Sequence, residues 1–230
     1  MALLLLTLSL IPRPLACLER YYAATAKCDG RGCRALLPDG SEIPYDDGKK
    51  KSLEERLAHP DVEDMFAQPY PTGPIKSNPT VDYDPGRVRL DAVLRLTYPQ
   101  SGLTQVEFFG RKLTVHKKVE AAFGRVAARL AKLPEAKPFL QKLGGTYVPR
   151  KIAGTDRLSA HSWGIAIDLN PSLTHYWRWE KGGWKNTVPQ SVVDAFEAEG
   201  FIWGGRWYHF DTMHFEYRPE ILDLACYPSP

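Results

Sequence analysis

The stretch RLSAHSWGIAIDLNP, residues 157–171, constrains the fold most, because a polar segment changes within it into a short apolar run that ends on an aspartate. The run Ile165-Ala166-Ile167 is typical of a buried strand, with Asp168 directly after it and His161 upstream. Side chains of a strand alternate between two faces, so Gly164 and Asp168 share a face and His161 is out of phase. We therefore expect His161 in a turn before the strand, with Gly164 where the chain changes direction.

A second strand-like block, DTMHFE at residues 211–216, also contains a histidine between apolar neighbours. Together, His161, Asp168 and His214 would supply two imidazoles and one carboxylate, a donor set typical of catalytic zinc sites that keep one position for water. Spacing alone also allows a purely structural alternative, in which His161 and Asp168 form a hydrogen-bonded core pair and His214 has a structural partner. Asp211 can face the same site only if the chain bends between it and His214.

The amino-terminal segment MALLLLTLSLIPRPLAC predicts export. Its apolar core, residues 2–11, is too short to span a bilayer comfortably, which favours a secretory signal peptide over residues 1–16. Cleavage after residues 24–26 is the other possibility. We expect a periplasmic or extracellular protein. Leu15-Ala16-Cys17 also allows a lipoprotein, and membrane contact is expected only if Cys17 is lipidated.

The four cysteines fit an exported protein, because disulfides persist in oxidising compartments. Cys28 and Cys33 lie close together in CDGRGC, where the glycines allow a tight loop, and we expect them to pair. Cys17 and Cys226 could pair across the ends of the chain only if Cys17 is retained after processing.

The charge balance argues against nucleic-acid binding. The formal net charge is +3 over 230 residues, which is mildly basic, and no Lys/Arg-rich stripe with interleaved aromatic residues is present. Such a charge suits contact with anionic polymers such as cell-wall material.

The chain divides by composition at about residue 85. Residues 17–85 read as a loop-rich extension with a short helix, for which Ser52 is the predicted cap with Glu55 three residues on, followed by the proline-rich connector QPYPTGPIKSNP. The compact domain is predicted over residues 86–230, a length compatible with a single core.

This predicted domain mixes helices with short strands. Apolar residues at helical spacing predict one helix in HKKVEAAFGRVAARLAKL and a second in VPQSVVDAFEAEG. Strand-like runs lie at 105–113, 146–148, 164–169 and 213–217. We therefore predict an α+β fold, with a small, mostly antiparallel sheet flanked by helices.

The two histidine blocks, taken together, resemble a known family. The pattern SxHxxGxAxD, from Ser159 to Asp168, and the later block GFIWGGRWYHFDTMHFE are similar to the M15 zinc peptidases. These include D-alanyl-D-alanine carboxypeptidases and dipeptidases, and L-alanyl-D-glutamate endopeptidases. The Trp-Gly-Gly turn before D-x-x-H-F-E looks like the endopeptidase branch. The resemblance covers roughly residues 114–219 and implies a Hedgehog/DD-peptidase-like fold.

The resemblance also implies roles for individual residues. It implies a Zn²⁺ ion held by three ligands: His161, Asp168 and His214. Asp211 matches the carboxylate that takes a proton from water and passes it to the leaving amine. An upstream arginine of the family stabilises the oxyanion, for which Arg150 is the candidate and Arg157 and Lys151 are the alternatives.

Other residues near these blocks have two interpretations each. Ser159 matches a family position that contacts substrate, but it could be a turn hydroxyl. Glu216 could orient His214 or be exposed, and His209 could touch the site or simply pack at its edge. The loop HYWRWEKGGW, residues 175–184, carries Trp177 and other aromatic residues that we expect to wall a groove for glycan or peptide.

The sequence thus predicts a zinc metallopeptidase that hydrolyses peptidoglycan stem peptides, working as a monomer whose partner is the peptide substrate. An L-Ala–D-Glu endopeptidase is the first choice and a D-Ala–D-Ala carboxypeptidase the second. A non-catalytic zinc-bearing module that binds the cell wall is the alternative of another class. Asp211 distinguishes them, because a module that only binds needs no proton shuttle.

Overall fold

A single hydrophobic core runs through the computed structural model, which describes residues 11–228. Leu18 and Phe66, from the predicted extension, belong to the same buried cluster as Phe123 and Phe215. The boundary predicted near residue 85 therefore does not separate two cores. Of the predicted signal peptide, residues 1–10 lie outside the described part of the chain. Within the described part, no helix is both long and apolar enough to cross a membrane.

The chain begins with a helix and a three-stranded antiparallel sheet. Helix α1 spans Arg13–Tyr21, and strands β1 (Thr25–Asp29), β2 (Gly32–Leu36) and β3 (Glu42–Pro44) follow in sheet order β1-β2-β3. Two buried leucines of α1 tie this helix to the core, which gives the extension more regular structure than its composition indicates.

Both possible disulfides are formed. Cys28 lies opposite Cys33 in the β1–β2 register and is bonded to it. Cys17, in the middle of α1, is bonded to Cys226. A lipidated Cys17 could not form this bond, so the lipoprotein alternative and the observed pairing exclude each other.

Three short helices connect this sheet to the rest of the chain: α2 (Leu53–Ala58), α3 (Val62–Met65) and α4 (Asp91–Thr97). The cap predicted for α2 is present. The Ser52 hydroxyl accepts from the backbone N–H of Glu55, and the Glu55 carboxylate accepts from the backbone N–H of Ser52.

The single strand predicted over residues 105–113 is a hairpin. Strand β4 (Leu103–Phe108) pairs antiparallel with β5 (Arg111–His116), so the turn falls inside the predicted strand. Phe109 and Gly110 form this two-residue turn with φ of 49° and 75°. Two successive left-handed residues suit a tight hairpin, but phenylalanine gives no sequence signal for one.

The site is carried by a second three-stranded sheet with helices around it. Helices α5 (Glu120–Leu130) and α6 (Lys137–Leu140) precede this sheet. The remaining elements follow in chain order: β6 (Ala166–Asp168), α7 (Gln190–Glu197), β7 (Phe201–Trp203), β8 (His214–Tyr217) and α8 (Pro219–Leu222). All strands pair antiparallel in the order β6-β8-β7.

Aromatic packing fixes α7 against this sheet. Phe196 of α7 stacks on Phe215 of β8, with ring centroids 4.0 Å apart, and Trp203 of β7 is fully buried beside it. The structure confirms the predicted α+β class, with small antiparallel sheets flanked by helices.

We predict unequal contributions from the two disulfides. Replacing the first pair, Cys17→Ser with Cys226→Ser, should lower the free energy of unfolding by about 2–5 kcal/mol, because that bond closes a long loop. The two cysteines are 209 positions apart, whereas the Cys28–Cys33 bond spans 5. Replacing Cys28 and Cys33 should therefore cost less. Urea denaturation of both variants under non-reducing conditions measures the difference, and equal losses would contradict the explanation.

Candidate metal centre and cleft

Three side-chain donor atoms form a compact triangle. The Nε2 atom of His161 lies 3.1 Å from Oδ1 of Asp168 and 3.2 Å from Nδ1 of His214, and the last two atoms are 3.0 Å apart. Donors around a tetrahedral zinc ion, with bonds of 2.0–2.1 Å, lie about 3.3 Å from one another. The spacing of the triangle therefore fits a metal ion with two imidazole ligands and one carboxylate.

His161 lies in a turn before the strand, as the sequence predicts. It belongs to a 3₁₀ helix, Ala160–Trp163, that ends at Gly164 with φ of 66°. A Cβ atom at Gly164 would lie 2.9 Å from the backbone nitrogen of His116, so only glycine fits this turn. The Nδ1 atom of His161 lies 2.8 Å from the carbonyl oxygen of Thr146, which accepts its proton and leaves Nε2 free for the centre.

Asp168 is positioned at the end of β6 by two glycines. Gly144 donates to the Asp168 carbonyl, and the Asp168 N–H donates to the carbonyl of Gly145. A Cβ atom at Gly144 would lie 2.8 Å from that of Asp168. The strand predicted at 146–148 is wrong, because these residues form only irregular structure after the isolated bridge between Gly145 and Asp168.

His214 is held from behind by a buried ionic chain. Its Nε2 atom lies 3.0 Å from a carboxylate oxygen of Glu216, which leaves Nδ1 for the centre. Glu216 is fully buried and also accepts from Arg89 at 2.6 Å and from Arg218 at 3.1 Å. Of the two placements that the sequence left open for Glu216, the structure shows the buried contact with His214. Sequence reasoning missed Arg89, which lies 127 positions from Glu216 and carries no local signal.

The electrostatics of the centre favour positive charge. Burial alone would lower the pKa of His214, but its hydrogen bonds to the carboxylates of Asp168 and Glu216 raise that pKa to about 10. Burial opposes ionisation of Asp168 as well, yet His161 and His214 hold its pKa below the ordinary value. A proton or a cation can satisfy this demand, and the oxygen and nitrogen donors suit zinc.

The Trp-Gly-Gly turn places Asp211 at the same centre. The backbone N–H of Asp211 donates to the Gly204 carbonyl at 3.0 Å, and a Cβ at Gly204 would lie 2.6 Å from the Asp211 carbonyl oxygen. A Cβ at Gly205 would lie 2.2 Å from the ring of Trp203. The chain bends between Asp211 and His214, as their spacing requires, and the His214 N–H donates to the Asp211 carbonyl. Because Gly205 has no side chain, the turn can pack against the indole of Trp203. Because Gly204 has none, the turn can approach the backbone of Asp211.

The carboxyl group of Asp211 is available for proton transfer. It lines a cleft of ≈ 270 Å³ together with Asp168 and His214, and its buried Oδ1 atom has no hydrogen-bond partner among the described residues. Burial, followed by repulsion from Asp168, raises the pKa of Asp211 to about 7.

Of the three arginine and lysine candidates, the structure brings only Arg150 to this cleft. Its backbone is held by Ser159 and Ser162, while its side chain is exposed. Arg157 instead donates to the backbone of Arg87, and Lys151 pairs with Asp156 outside the cleft. Burial, together with the nearby Arg89, lowers the pKa of Arg157 to about 9.

The remaining predicted residues also reach the cleft. Ser159 is buried in its wall, and its hydroxyl makes no hydrogen bond within the described part of the chain. Trp177 and Trp179 of the aromatic loop line it, and the side chain of Trp179 is largely exposed. His209 lies in the lining too, and so does Trp207, which sequence reasoning did not single out.

Residues 153–217 match the model of a family described as D-alanyl-D-alanine carboxypeptidase. The resemblance to M15 peptidases is confirmed. The matched segment contains both histidine blocks and the loop between them, and it supports an M15 peptidase domain in this part of the chain. Arg150 lies just before this M15 segment, and the amino-terminal part of the chain lies outside it.

We predict that Gly164→Ala destabilises the protein by about 1–3 kcal/mol, because it combines a left-handed conformation with a close approach to the His116 backbone. Gly124→Ala, in the middle of α5, is the matched control. Nothing lies within 4 Å of its added Cβ, so the higher helix propensity of alanine should stabilise by about 1 kcal/mol. Thermal denaturation measures both, and a harmless Gly164→Ala would contradict the role assigned to the turn.

We also predict that Glu216→Gln weakens zinc binding at this candidate centre by about 10- to 100-fold, because His214 loses its charged partner. Competition with a chromogenic chelator measures the affinity, and circular dichroism checks that the variant folds. Glu107→Gln, an exposed position on β4, is the control. Unchanged zinc affinity in Glu216→Gln would remove the orienting role.

Proposed function

We propose that this protein is a zinc-dependent peptidase that cleaves peptidoglycan stem peptides, with L-Ala–D-Glu endopeptidase activity as the first choice. The observation that carries the proposal is the convergence of a His-Asp-His triangle with the free carboxyl group of Asp211 in one cleft. The match to a peptidase family over the same residues supports it. The proposal includes a monomeric protein. It also includes action outside the cytoplasm, which the predicted signal peptide and the two disulfides support.

His161, Asp168 and His214 would hold the zinc ion, which would supply a Lewis acid that polarises the scissile carbonyl and lowers the pKa of water so that hydroxide is available as the nucleophile. Asp211 takes the proton of the attacking water and delivers it to the leaving amine, so one carboxyl group serves both steps. Arg150 is placed to stabilise the negative charge that develops on the carbonyl oxygen.

The shape of the surface favours an endopeptidase. The cleft continues into a larger groove of ≈ 790 Å³, and the linings of the two share Arg87, Ile152, Trp177 and His209, among others. The far wall of this groove is formed by α2. A substrate can therefore extend beyond the catalytic cleft, as cleavage inside a peptide requires.

A D-Ala–D-Ala carboxypeptidase is the second candidate. The matched family carries that description, and Arg87, Arg89 and Arg150 in the cleft lining could receive a terminal carboxylate. The non-catalytic module remains the alternative of another class, and the unpartnered Oδ1 atom of Asp211 in the cleft speaks against it.

Two variants test the mechanism. Asp211→Asn should retain zinc and lose hydrolysis by about 10²- to 10⁴-fold, because it removes the proton shuttle without removing a ligand. His214→Ala should lose both zinc and activity. Metal analysis and hydrolysis rates on the same preparations separate the two effects, and full activity in Asp211→Asn would refute the role of Asp211.

Digestion of purified muropeptides tests the substrate. Mass spectrometry should find products with a new D-Glu amino terminus, since the proposed bond lies between L-Ala and D-Glu. Release of single D-Ala residues would support the carboxypeptidase instead. Zinc binding without any cleavage of muropeptides would favour the non-catalytic module.

A further inference from the structure

A buried carboxylate outside the catalytic centre holds two basic side chains at its edge. Asp84 is 1 % exposed, and its Oδ2 atom accepts from a guanidinium nitrogen of Arg87 and from Nδ1 of His209 at 2.7 Å. Its Oδ1 atom accepts from the backbone N–H of His209 at 3.0 Å. One carboxylate therefore orients both side chains, although Arg87 and His209 are 122 positions apart in the sequence.

Both basic side chains keep hydrogen-bonding capacity free. Nε2 of His209 has no hydrogen-bond partner among residues 11–228, and it is not among their buried unpaired atoms. The same holds for two of the three guanidinium nitrogens of Arg87. The ring of Trp177 contacts that of His209 edge-on at 4.7 Å and restricts its rotation further. The pair is thus fixed on the protein side and open on the other.

The position of the pair is the junction between the catalytic cleft and the larger groove, since Arg87 and His209 line both. The acidic residues in the cleft lining are Asp168 and Asp211, which belong to the catalytic centre. The larger groove adds Glu54, Asp82 and Asp156, none of which pairs with Arg87 or His209 within residues 11–228, and Asp84 accepts from both members.

We propose that Arg87 and His209, held by Asp84, form a subsite that binds a free carboxylate of the substrate. An arginine next to a histidine in its imidazolium form, which donates from both ring nitrogens, matches a carboxylate, which accepts several charge-assisted hydrogen bonds. This inference rests on the proposed function and names a substrate group that the junction recognises. In a stem peptide, such a group comes from the α-carboxylate of D-Glu or from the carboxyl terminus.

Four synthetic peptides of the sequence L-Ala-γ-D-Glu-L-Lys-D-Ala-D-Ala test the subsite. One keeps both carboxylates, one has the D-Glu α-carboxylate as an amide, one has the carboxyl terminus as an amide, and one has both as amides. The full-length zinc-loaded protein should prefer a free carboxylate over the amide at one of the two places by about tenfold in kcat/KM. The place of that preference identifies the source of the carboxylate.

Arg87→Gln and His209→Gln should each reduce this preference, because each lowers kcat/KM for the free carboxylate more than for the amide peptide. Because the two peptides are compared within one preparation, a partly unfolded variant changes both rates and not their ratio. Arg129→Gln, at an arginine of α5 that also pairs with a carboxylate, Glu199, is the control and should keep the wild-type ratio.

Calorimetric binding of the same peptides to Asp211→Asn gives a readout that does not depend on hydrolysis. Tighter binding of the free carboxylate, lost on adding Arg87→Gln or His209→Gln, supports the subsite. Equal ratios in wild type and variants, or a wild type indifferent to amidation at both places, overturn it. If the wild type cleaves none of the peptides but the binding preference is present, the proposed activity fails and the subsite stands.

Discussion

The pairing of β6 with β8 is the constraint on which the centre depends. Its antiparallel register sets Asp168 directly opposite His214, although 46 positions separate them in the chain. Cross-strand neighbours have side chains within about 5 Å, so this register brings two of the three candidate metal donors together once Phe215 is packed in the core. A slip by one residue would turn His214 into the interior and Phe215 towards the cleft.

A buried ionic chain connects that pairing to the rest of the molecule. Arg89 and Arg218 converge on Glu216, which in turn contacts His214. Removing one member would leave a buried charge without its partner, which is costly. Arg89 comes from the segment just before α4, so the orientation of a candidate metal ligand depends on residues well outside the segment that matches the family.

Much of the site was predictable, because short sequence patterns identify its residues. The turn at His161 follows from strand parity and from Gly164, and Asp211 was identified because the D-x-x-H-F-E block after a Trp-Gly-Gly turn resembles a known family. The contributions of Thr146 and Arg89 were not, because a backbone carbonyl has no residue-type signature and a lone arginine has many uses. The hairpin at Phe109 was missed since its turn lacks the usual glycine or asparagine at the first position.

By itself, the sequence determined the chemistry of the donors, the two main helices and the α+β class, because residue type and short-range periodicity carry that information. Only the tertiary structure decided which candidate arginine reaches the cleft, that the predicted extension shares the core, and that Asp84 holds Arg87 beside His209. These are contacts between distant segments, and their energies come from packing and burial, which no local pattern records.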